Sequence, residues 1–290
     1  MLCIIVYLMF ISNGSNNDLE LVNGLIINIV ESLKNIGQES IYRNKQDIKI
    51  GEYIPIEEIV GLRDSIITKI IDVLRIIAIS HLNEDIYKYQ EIILRIINYI
   101  GAFSLELITK KSNSIKDAMD SLYSFFEPLS PNNKLEKLKI ASEILEIFND
   151  ISLRLIESKS INTISECAGY IKKISQWADK NEMPSIKTNA IKYLGHIGLD
   201  LVKSEIFGND LRKINLFLQD IILINIEDEC PESDIELPLN LLKHLAEKMA
   251  EKNINESEID DILIFFRSLI PSISGSKAEE LNKWINNFKK

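Results

Sequence analysis

The residues of this sequence best suited to bind a metal or carry a proton are its three histidines. Helical di-iron proteins place a glutamate three residues before a histidine, so that both side chains lie on one face of the helix. The residues three before His81, His196 and His244 are an alanine, a tyrosine and a leucine. Glu247 follows His244 by one turn, but a lone pair lacks the ligands of a metal site and is typical of a surface contact. The histidine pattern therefore predicts no metal centre.

The cysteines and glycines also lack the spacing of known reactive sites. Cys3, Cys167 and Cys230 are widely separated and form no CxxC pair, so they predict neither a zinc site nor a disulfide framework. Cys167 falls on a predicted core face, where a free thiol packs as a small hydrophobe. The sequence contains no GxxxxGK[ST], GxGxxG or GxSxG string. We therefore expect no bound cofactor.

Residues 227–236 (EDECPESDIE) concentrate acidic side chains in a short stretch of the chain. The stretch lacks the DxDxDG spacing of a calcium loop and is typical of a solvated acidic loop. The alternatives are a surface for a basic partner and a weak site for a divalent cation. The candidate partner-binding residues are Glu227, Asp228, Glu229 and Trp177. Trp177 lies three residues after Ile174 of a predicted core face, so packing is favoured over partner contact.

The charge balance argues against a nucleic-acid partner. The 290 residues include 33 Lys plus Arg and 43 Asp plus Glu, a formal net charge of -10 at pH 7. Such a charge repels polyanions, and Lys283–Lys290 is the one locally basic segment, small and terminal. Hydrophobic residues make up 46% of the chain, which is ample for a sizeable core. We expect a protein partner or self-association.

The elements that carry these residues repeat along the chain. Apolar stripes with steps of three, four and three residues mark one face of a helix, and they recur after 48, 46 and 48 residues. The third position of each stripe is small, which would let a neighbouring helix approach closely. The stripes are Ile97, Ile100, Ser104 and Leu107; Leu145, Phe148, Ser152 and Leu155; Ile191, Leu194, Gly198 and Leu201; and Leu239, Leu242, Ala246 and Met249.

A second series of stripes repeats independently, at offsets of 49, 47 and 48 residues. Two series that advance at nearly the same step indicate that a whole two-helix unit is duplicated. Prolines fall between the units, including Pro184 before repeat three and Pro231 and Pro238 around the first helix of repeat four. The second series is Ile115, Ala118, Leu122 and Phe125; Ile164, Cys167, Ile171 and Ile174; Leu211, Ile214, Leu218 and Ile221; and Ile259, Ile262, Phe266 and Leu269.

The period and the two-helix unit resemble those of HEAT and armadillo-like repeat proteins. The string AIKYLGHIG at 190–198 looks like the "aLgxIG" phrase of HEAT-like helices, and the other three repeats depart from it at the glycines. The resemblance covers about two thirds of the chain, Asn83–Pro271. It implies an all-α fold, a right-handed α-solenoid of antiparallel helix hairpins in four repeats of about 48 residues with flanking capping helices. It implies no activity.

The predicted organisation has three parts. Residues 1–17 form an apolar N-terminal segment and linker, 18–82 the N-terminal capping helices, and 83–290 the repeat array with a C-terminal capping helix. Met1–Ile11 is wholly apolar but too short to cross a bilayer, which needs about 20 helical residues. It fits a signal core, the distal half of a membrane helix, or a buried segment of the domain. We expect a cytoplasmic protein, with a position at the membrane as the alternative.

Two classes of function fit this sequence. A non-enzymatic protein-protein interaction scaffold follows from an extended repeat surface without a catalytic motif. The alternative is an enzyme on a helical-repeat frame, of which the HEAT-like DNA glycosylases are the nearest analogy. Such an enzyme needs a basic groove with aromatic and carboxylate residues, whereas this chain is acidic. The scaffold is therefore the favoured interpretation.

Overall fold

The computed structural model describes residues 16–42, 56–84, 86–112, 114–129, 134–253, 256–273 and 275–288. Every regular element among these residues is helical. The segment Met1–Ile11 lies outside them. The α-helices are α1 (Asn16–Tyr42), α2 (Ile56–Glu84), α3 (Ile86–Thr109), α4 (Ile115–Ser124), α5 (Lys134–Glu157), α6 (Thr163–Lys180), α7 (Pro184–Lys203), α8 (Asn209–Glu227), α9 (Glu232–Glu251), α10 (Glu256–Leu269) and α11 (Ser276–Phe288), with a 3-10 turn at Ile270–Ser272.

The helices pack as consecutive hairpins. The chain divides into two compact units between Ile144 and Leu145, the N-terminal unit and the C-terminal unit. Within each unit a helix contacts the next helix and the next but one, as α1 contacts α2 and α3, and α7 contacts α8 and α9. This pattern is that of helix hairpins stacked in two layers. The predicted all-α fold of stacked hairpins is confirmed.

The predicted stripes are the core. All sixteen positions of the first series and all sixteen of the second are buried. The small residues at the third stripe positions are buried, as close helix packing requires: Ser104, Ser152 and Ala246 have no exposed surface, and Gly198 is buried. A Cβ built on Gly198 would lie 3.0 Å from Leu245 Cδ2 of α9. The absence of a side chain at this position therefore allows α7 and α9 to approach.

The N-terminal cap follows the same register as the repeats. Its helix α2 buries Ile67, Ile70, Leu74 and Ile77, which lie 48 residues before the second-series stripe of repeat one. A Cβ built on Gly37 of α1 would lie 2.6 Å from Phe103 Cζ, the residue just before Ser104. Leu245, against Gly198, likewise comes just before Ala246. The pair α1 and α2 is thus a capping hairpin that follows the repeat register, a relation that the sequence pattern did not predict.

The predicted C-terminal cap is α11, and it is confirmed. Leu281 and Ile285 are buried, and the Trp284 ring packs edge-on against Phe266 of α10 at 5.4 Å between ring centroids. Trp284 Nε1 donates a hydrogen bond to Glu247 Oε1 of α9 at 2.8 Å. Because this indole contacts two helices of repeat four, its role is to close the end of the C-terminal unit.

Several helices end in a left-handed residue that is not glycine. The residue two past the last helical one has φ between 51° and 57° in each case. After α3, the Lys111 N–H bonds to Ile108 O and the Ser112 N–H bonds to Leu107 O, which is the Schellman pattern that satisfies the last carbonyls. Glycine is the usual residue at such an ending, so lysine, glutamate and asparagine at these positions do not predict it. The residues are Lys111, Lys159, Glu182, Glu205, Glu229 and Asn253.

Pro238 lies inside α9 rather than beside it. The helix begins at Glu232, directly after Pro231, and continues through Pro238. A proline has no N–H, so the carbonyl four residues earlier, that of Asp234, loses its helical partner. The buried Asn225 of α8 replaces that partner, since its Nδ2 donates to Asp234 O at 2.8 Å. The side chain of the preceding helix therefore accommodates a residue that the sequence pattern places at a boundary.

One helix among the described residues is long and apolar enough to cross a membrane, by length and composition only. It is the part of α3 from Lys88 to Thr109, and 56% of its most apolar window is buried inside the protein. Its stripe Ile97, Ile100, Ser104 and Leu107 is the core of repeat one. These features are typical of the central helix of a packed domain.

Candidate functional site

Trp177 is half-buried near the end of α6. The next residue, Ala178, is fully buried. The carbonyl of Trp177 accepts a hydrogen bond from Asn181 Nδ2 at 2.8 Å. The residue is thus part of the helix end as well as of the surface.

Glu227, Asp228 and Glu229 are exposed at the end of α8. Glu227 is its last residue, and Asp228 and Glu229 form the turn that ends it, with Glu229 at φ 51°. Among the described residues, none of the three carboxylates forms an ion pair. We call these three residues the acidic turn.

A buried lysine brings the Trp177 end of α6 and the acidic segment together. Lys187, in the first turns of α7, lies between Asp179 of α6 and Asp234 of α9. Its Nζ is 2.6 Å from Asp179 Oδ1 and 2.9 Å from Asp234 Oδ2, and its side chain is 7% exposed. Asp179 follows Trp177 by two residues, and Asp234 lies within the segment 227–236. The sequence predicted both pieces separately, and Lys187 is the residue it missed.

The electrostatics of this cluster favour the charged form of Lys187. Burial lowers the pKa of Lys187, but the hydrogen bonds to Asp179 and Asp234 and their negative charges outweigh burial and raise it above its ordinary value. A lysine acts as a nucleophile only when its amine is neutral. Lys187 is therefore a structural cation rather than a group for covalent chemistry.

Cys230 completes the cluster. Its Sγ and one carboxylate oxygen each of Asp179 and Asp234 lie within 4.8 Å of one another, close enough to share a cation. The Lys187 ammonium already bonds to both carboxylates, so a metal ion would have to displace it. Burial raises the pKa of the Cys230 thiol, which disfavours the thiolate that binds metals. The geometry supports an ion-pair clamp that joins α6, α7 and α9.

The histidines lie on three different helices, α2, α7 and α9. His81 is buried and stacks on Tyr89 at 4.2 Å between ring centroids. His244 Nδ1 lies 3.6 Å from Glu247 Oε2, and both side chains are about half exposed. Glu247 also accepts the hydrogen bond from Trp284, so the contact of α9 with α11 explains the position of the Glu247 side chain.

A groove that the sequence pattern did not predict lies between α8 and α10. It has a cavity volume of about 270 Å³ and is lined by Leu216 and Asn215 of α8 and by Ile264 and Phe265 of α10, among others. Leu216 and Ile264 occupy the same repeat position, 48 residues apart, and are 45% and 59% exposed. The available signal was a large apolar residue at an outward position in two adjacent repeats.

No protein-family model and no curated protein matches the chain. Among solved structures, a "circular tandem repeat protein with novel repeat topology and enhanced subunit contact surfaces" is 11% identical, with 94% of this chain and 72% of that chain covered and a TM-score of 0.47. Another, described as "computational design of self-assembling cyclic protein homooligomers", is 12% identical, with 92% and 94% covered and a TM-score of 0.24. The helical-repeat fold therefore rests on the packing and burial of this chain itself.

Proposed function

We propose that this chain is a non-enzymatic scaffold of the HEAT-like repeat type, which binds a protein partner through the acidic turn. The observation that carries the proposal is the exposure of three adjacent carboxylates, those of Glu227, Asp228 and Glu229, which form no ion pair with a described residue and lie beside a clamp that joins three helices. A rigid support is what a binding site on a turn needs, because binding then orders little additional chain.

The neighbouring acids differ from the acidic turn in one respect. Asp179 and Asp234 each form an ion pair with Lys187, and Glu232 and Glu236 each form one with Lys277, whose Nζ lies 3.1 and 3.0 Å from their carboxylates. The acidic turn forms no ion pair with any described residue. A partner that supplies lysines or arginines would therefore meet carboxylates there that no described cation pairs with.

The charge of the whole chain favours a partner of another kind over a second copy. Two copies each carry a formal net charge of -10, so their long-range interaction is repulsive. A partner with a basic surface is attracted, and salt weakens the attraction because the Debye length is about 8 Å at physiological ionic strength. Self-association would need a contact away from the acidic turn.

Affinity capture from the native lysate tests the proposal. The wild-type chain and the variant Glu227→Gln, Asp228→Asn, Glu229→Gln serve as baits at low and high salt. A matched control neutralises three exposed acids elsewhere, Glu166, Glu279 and Glu280. We expect one protein that the wild-type and control baits recover at low salt and that the acidic-turn variant loses. Equal recovery by all three baits would contradict the assignment of this surface.

The competing class, a helical-repeat DNA glycosylase, makes the opposite prediction. Such an enzyme binds duplex DNA through phosphate contacts, and its binding falls steeply with salt. The proposed scaffold leaves duplex DNA unbound in a parallel gel-shift assay at low salt. Tight binding to DNA would contradict the scaffold and favour the enzyme.

We assign the protein to the cytoplasm, with membrane proximity through Met1–Ile11 as the alternative.

A further inference from the structure

We propose that the groove between α8 and α10 binds an extended segment of a partner protein, which donates a backbone N–H to Asn215 and inserts an apolar side chain between Leu216 and Ile264. The inference rests on the proposed scaffold function and adds to it a second, uncharged contact. The groove lies within the C-terminal unit, on the layer formed by the second helices of repeats three and four.

Asn215 is the residue that singles out this groove. Its side chain lines the groove and is 4% exposed, and its Oδ1 accepts no hydrogen bond from any described residue. An amide oxygen removed from water without a donor is destabilising, and such groups are rare in folded proteins. A donor from a bound molecule would satisfy it.

The repeat register shows that a polar residue is not needed here for folding. Asn215 follows the second position of its core stripe by one residue, and the same position is buried and apolar in the other second helices. Its counterparts are Ile71, Met119, Ala168 and Leu263. An asparagine has replaced a core residue in repeat three alone, next to the groove. Such a departure from the repeat is expected at a functional site rather than in the core.

The groove walls fit an apolar side chain. Leu216 and Ile264 are the exposed apolar residues of the groove lining, and Phe265 lies half-buried beside them. The volume of about 270 Å³ is below the roughly 300–1,000 Å³ of pockets that enclose a small-molecule ligand. A single side chain of a larger partner, held by contacts outside the groove, matches this size.

The polar residues of the groove select a peptide over a polyanion or a helix. Arg212 lies on α8, and Glu258 and Asp261 on α10, so both signs of charge are present and a phosphate backbone meets carboxylates. A partner helix uses its own N–H groups internally except in its first turn. An extended segment leaves its N–H groups free to donate to Asn215 while its side chains enter pockets on alternate sides.

A random peptide library displayed on phage, selected on the full-length chain, provides the probe. Enriched sequences are made as labelled peptides, and their affinities are measured by fluorescence anisotropy on wild-type, Asn215→Leu, Ile264→Ser and Leu223→Ser chains. Repeat four has a leucine, Leu263, at the position that corresponds to Asn215. Asn215→Leu is therefore expected to fold, and its circular dichroism spectrum checks this. Leu223 is an exposed leucine of α8 outside the groove lining and serves as the matched control.

We expect Asn215→Leu and Ile264→Ser each to weaken the enriched peptides by about tenfold or more, and Leu223→Ser by less than about twofold. Selection without enrichment, or peptides that bind Asn215→Leu as tightly as wild type, would overturn the inference. The acidic-turn variant separates the two proposals, because groove peptides should bind it as they bind wild type. If the acidic-turn variant still captured the partner, that result would contradict the role of the acidic turn and leave the groove proposal untouched.

Discussion

At the scale of single residues, Lys187 fixes the surroundings of the candidate site. One ammonium group joins the end of α6, the beginning of α7 and the first turn of α9 through Asp179 and Asp234. Its side chain is 7% exposed, whereas both carboxylates are 35% exposed. The lysine therefore loses more hydration than its partners do, and it depends on both of them for compensation.

Removal of this cation should loosen the clamp. Lys187→Met leaves two carboxylates facing each other without the cation between them, and we expect the free energy of unfolding to fall by about 2–3 kcal/mol, less than for a fully buried pair because the carboxylates reach water. Urea denaturation followed by circular dichroism measures the change. Adding Asp234→Asn to Lys187→Met should restore part of the loss, since it removes the repulsion. Unchanged stability in Lys187→Met would show that the clamp is only a surface contact.

The stability difference between wild type and Lys187→Met should depend on pH. Because the folded state raises the pKa of Lys187 above its ordinary value near 10.5, the clamp stabilises the protein below that pH and loses this effect as pH rises through the higher folded value. The difference in the free energy of unfolding between wild type and Lys187→Met should therefore be constant from about pH 7 to 9 and shrink above about pH 10.5.

At the scale of helices, the close approach of α7 and α9 depends on Gly198. A Cβ there would lie 3.0 Å from Leu245 Cδ2 and 3.3 Å from Ile214 Cγ2, so larger side chains force the helices apart. We expect Gly198→Leu to lower the free energy of unfolding by about 1–3 kcal/mol. Gly24 of α1 is the matched control because it is exposed and a Cβ there meets no atom within 4 Å. An equal melting temperature for wild type and Gly198→Leu would contradict the packing described.

A substitution at one of the left-handed helix ends should raise the free energy of unfolding. Lys159, two residues past the end of α5, has φ 52° and is exposed. A side chain in this conformation costs about 1 kcal/mol relative to glycine, partly offset by the greater freedom of glycine in the unfolded chain. Lys159→Gly should therefore raise the free energy of unfolding by about 0.5–1 kcal/mol, whereas Lys159→Ala should not. A loss of stability with glycine would mean that the lysine side chain has a role of its own.

The helices themselves were predictable from the sequence, and the contacts between them were only partly so. Burial imposes spacing on a helix face, so every stripe position is buried as predicted. Pairings across repeats leave no such periodic signal. Lys187 and Asp234 are 47 residues apart, and Asn225 compensates for Pro238 from another helix. The acidic turn was found because its charge is local, whereas the clamp and the groove depend on the fold.

At the scale of the whole molecule, a truncation tests the role predicted for Met1–Ile11. Helix α1 begins at Asn16, so a chain that starts there keeps all of the described helices. We expect this truncated chain to be soluble and to retain its helical circular dichroism signal, while the full chain sediments with liposomes if Met1–Ile11 anchors it. Unfolding of the truncated chain would contradict this and make the segment part of the core.

The central claim is that the acidic turn, supported by the Lys187 clamp, binds a basic protein partner. The most direct measurement is the affinity of the captured partner for wild type, for Glu227→Gln, Asp228→Asn, Glu229→Gln, and for the control variant at Glu166, Glu279 and Glu280, each over a series of salt concentrations. The claim predicts that only the acidic-turn variant loses affinity, by about tenfold or more at low salt, and that the difference narrows as salt screens the charges. Equal affinities for the three proteins at every salt concentration would contradict it.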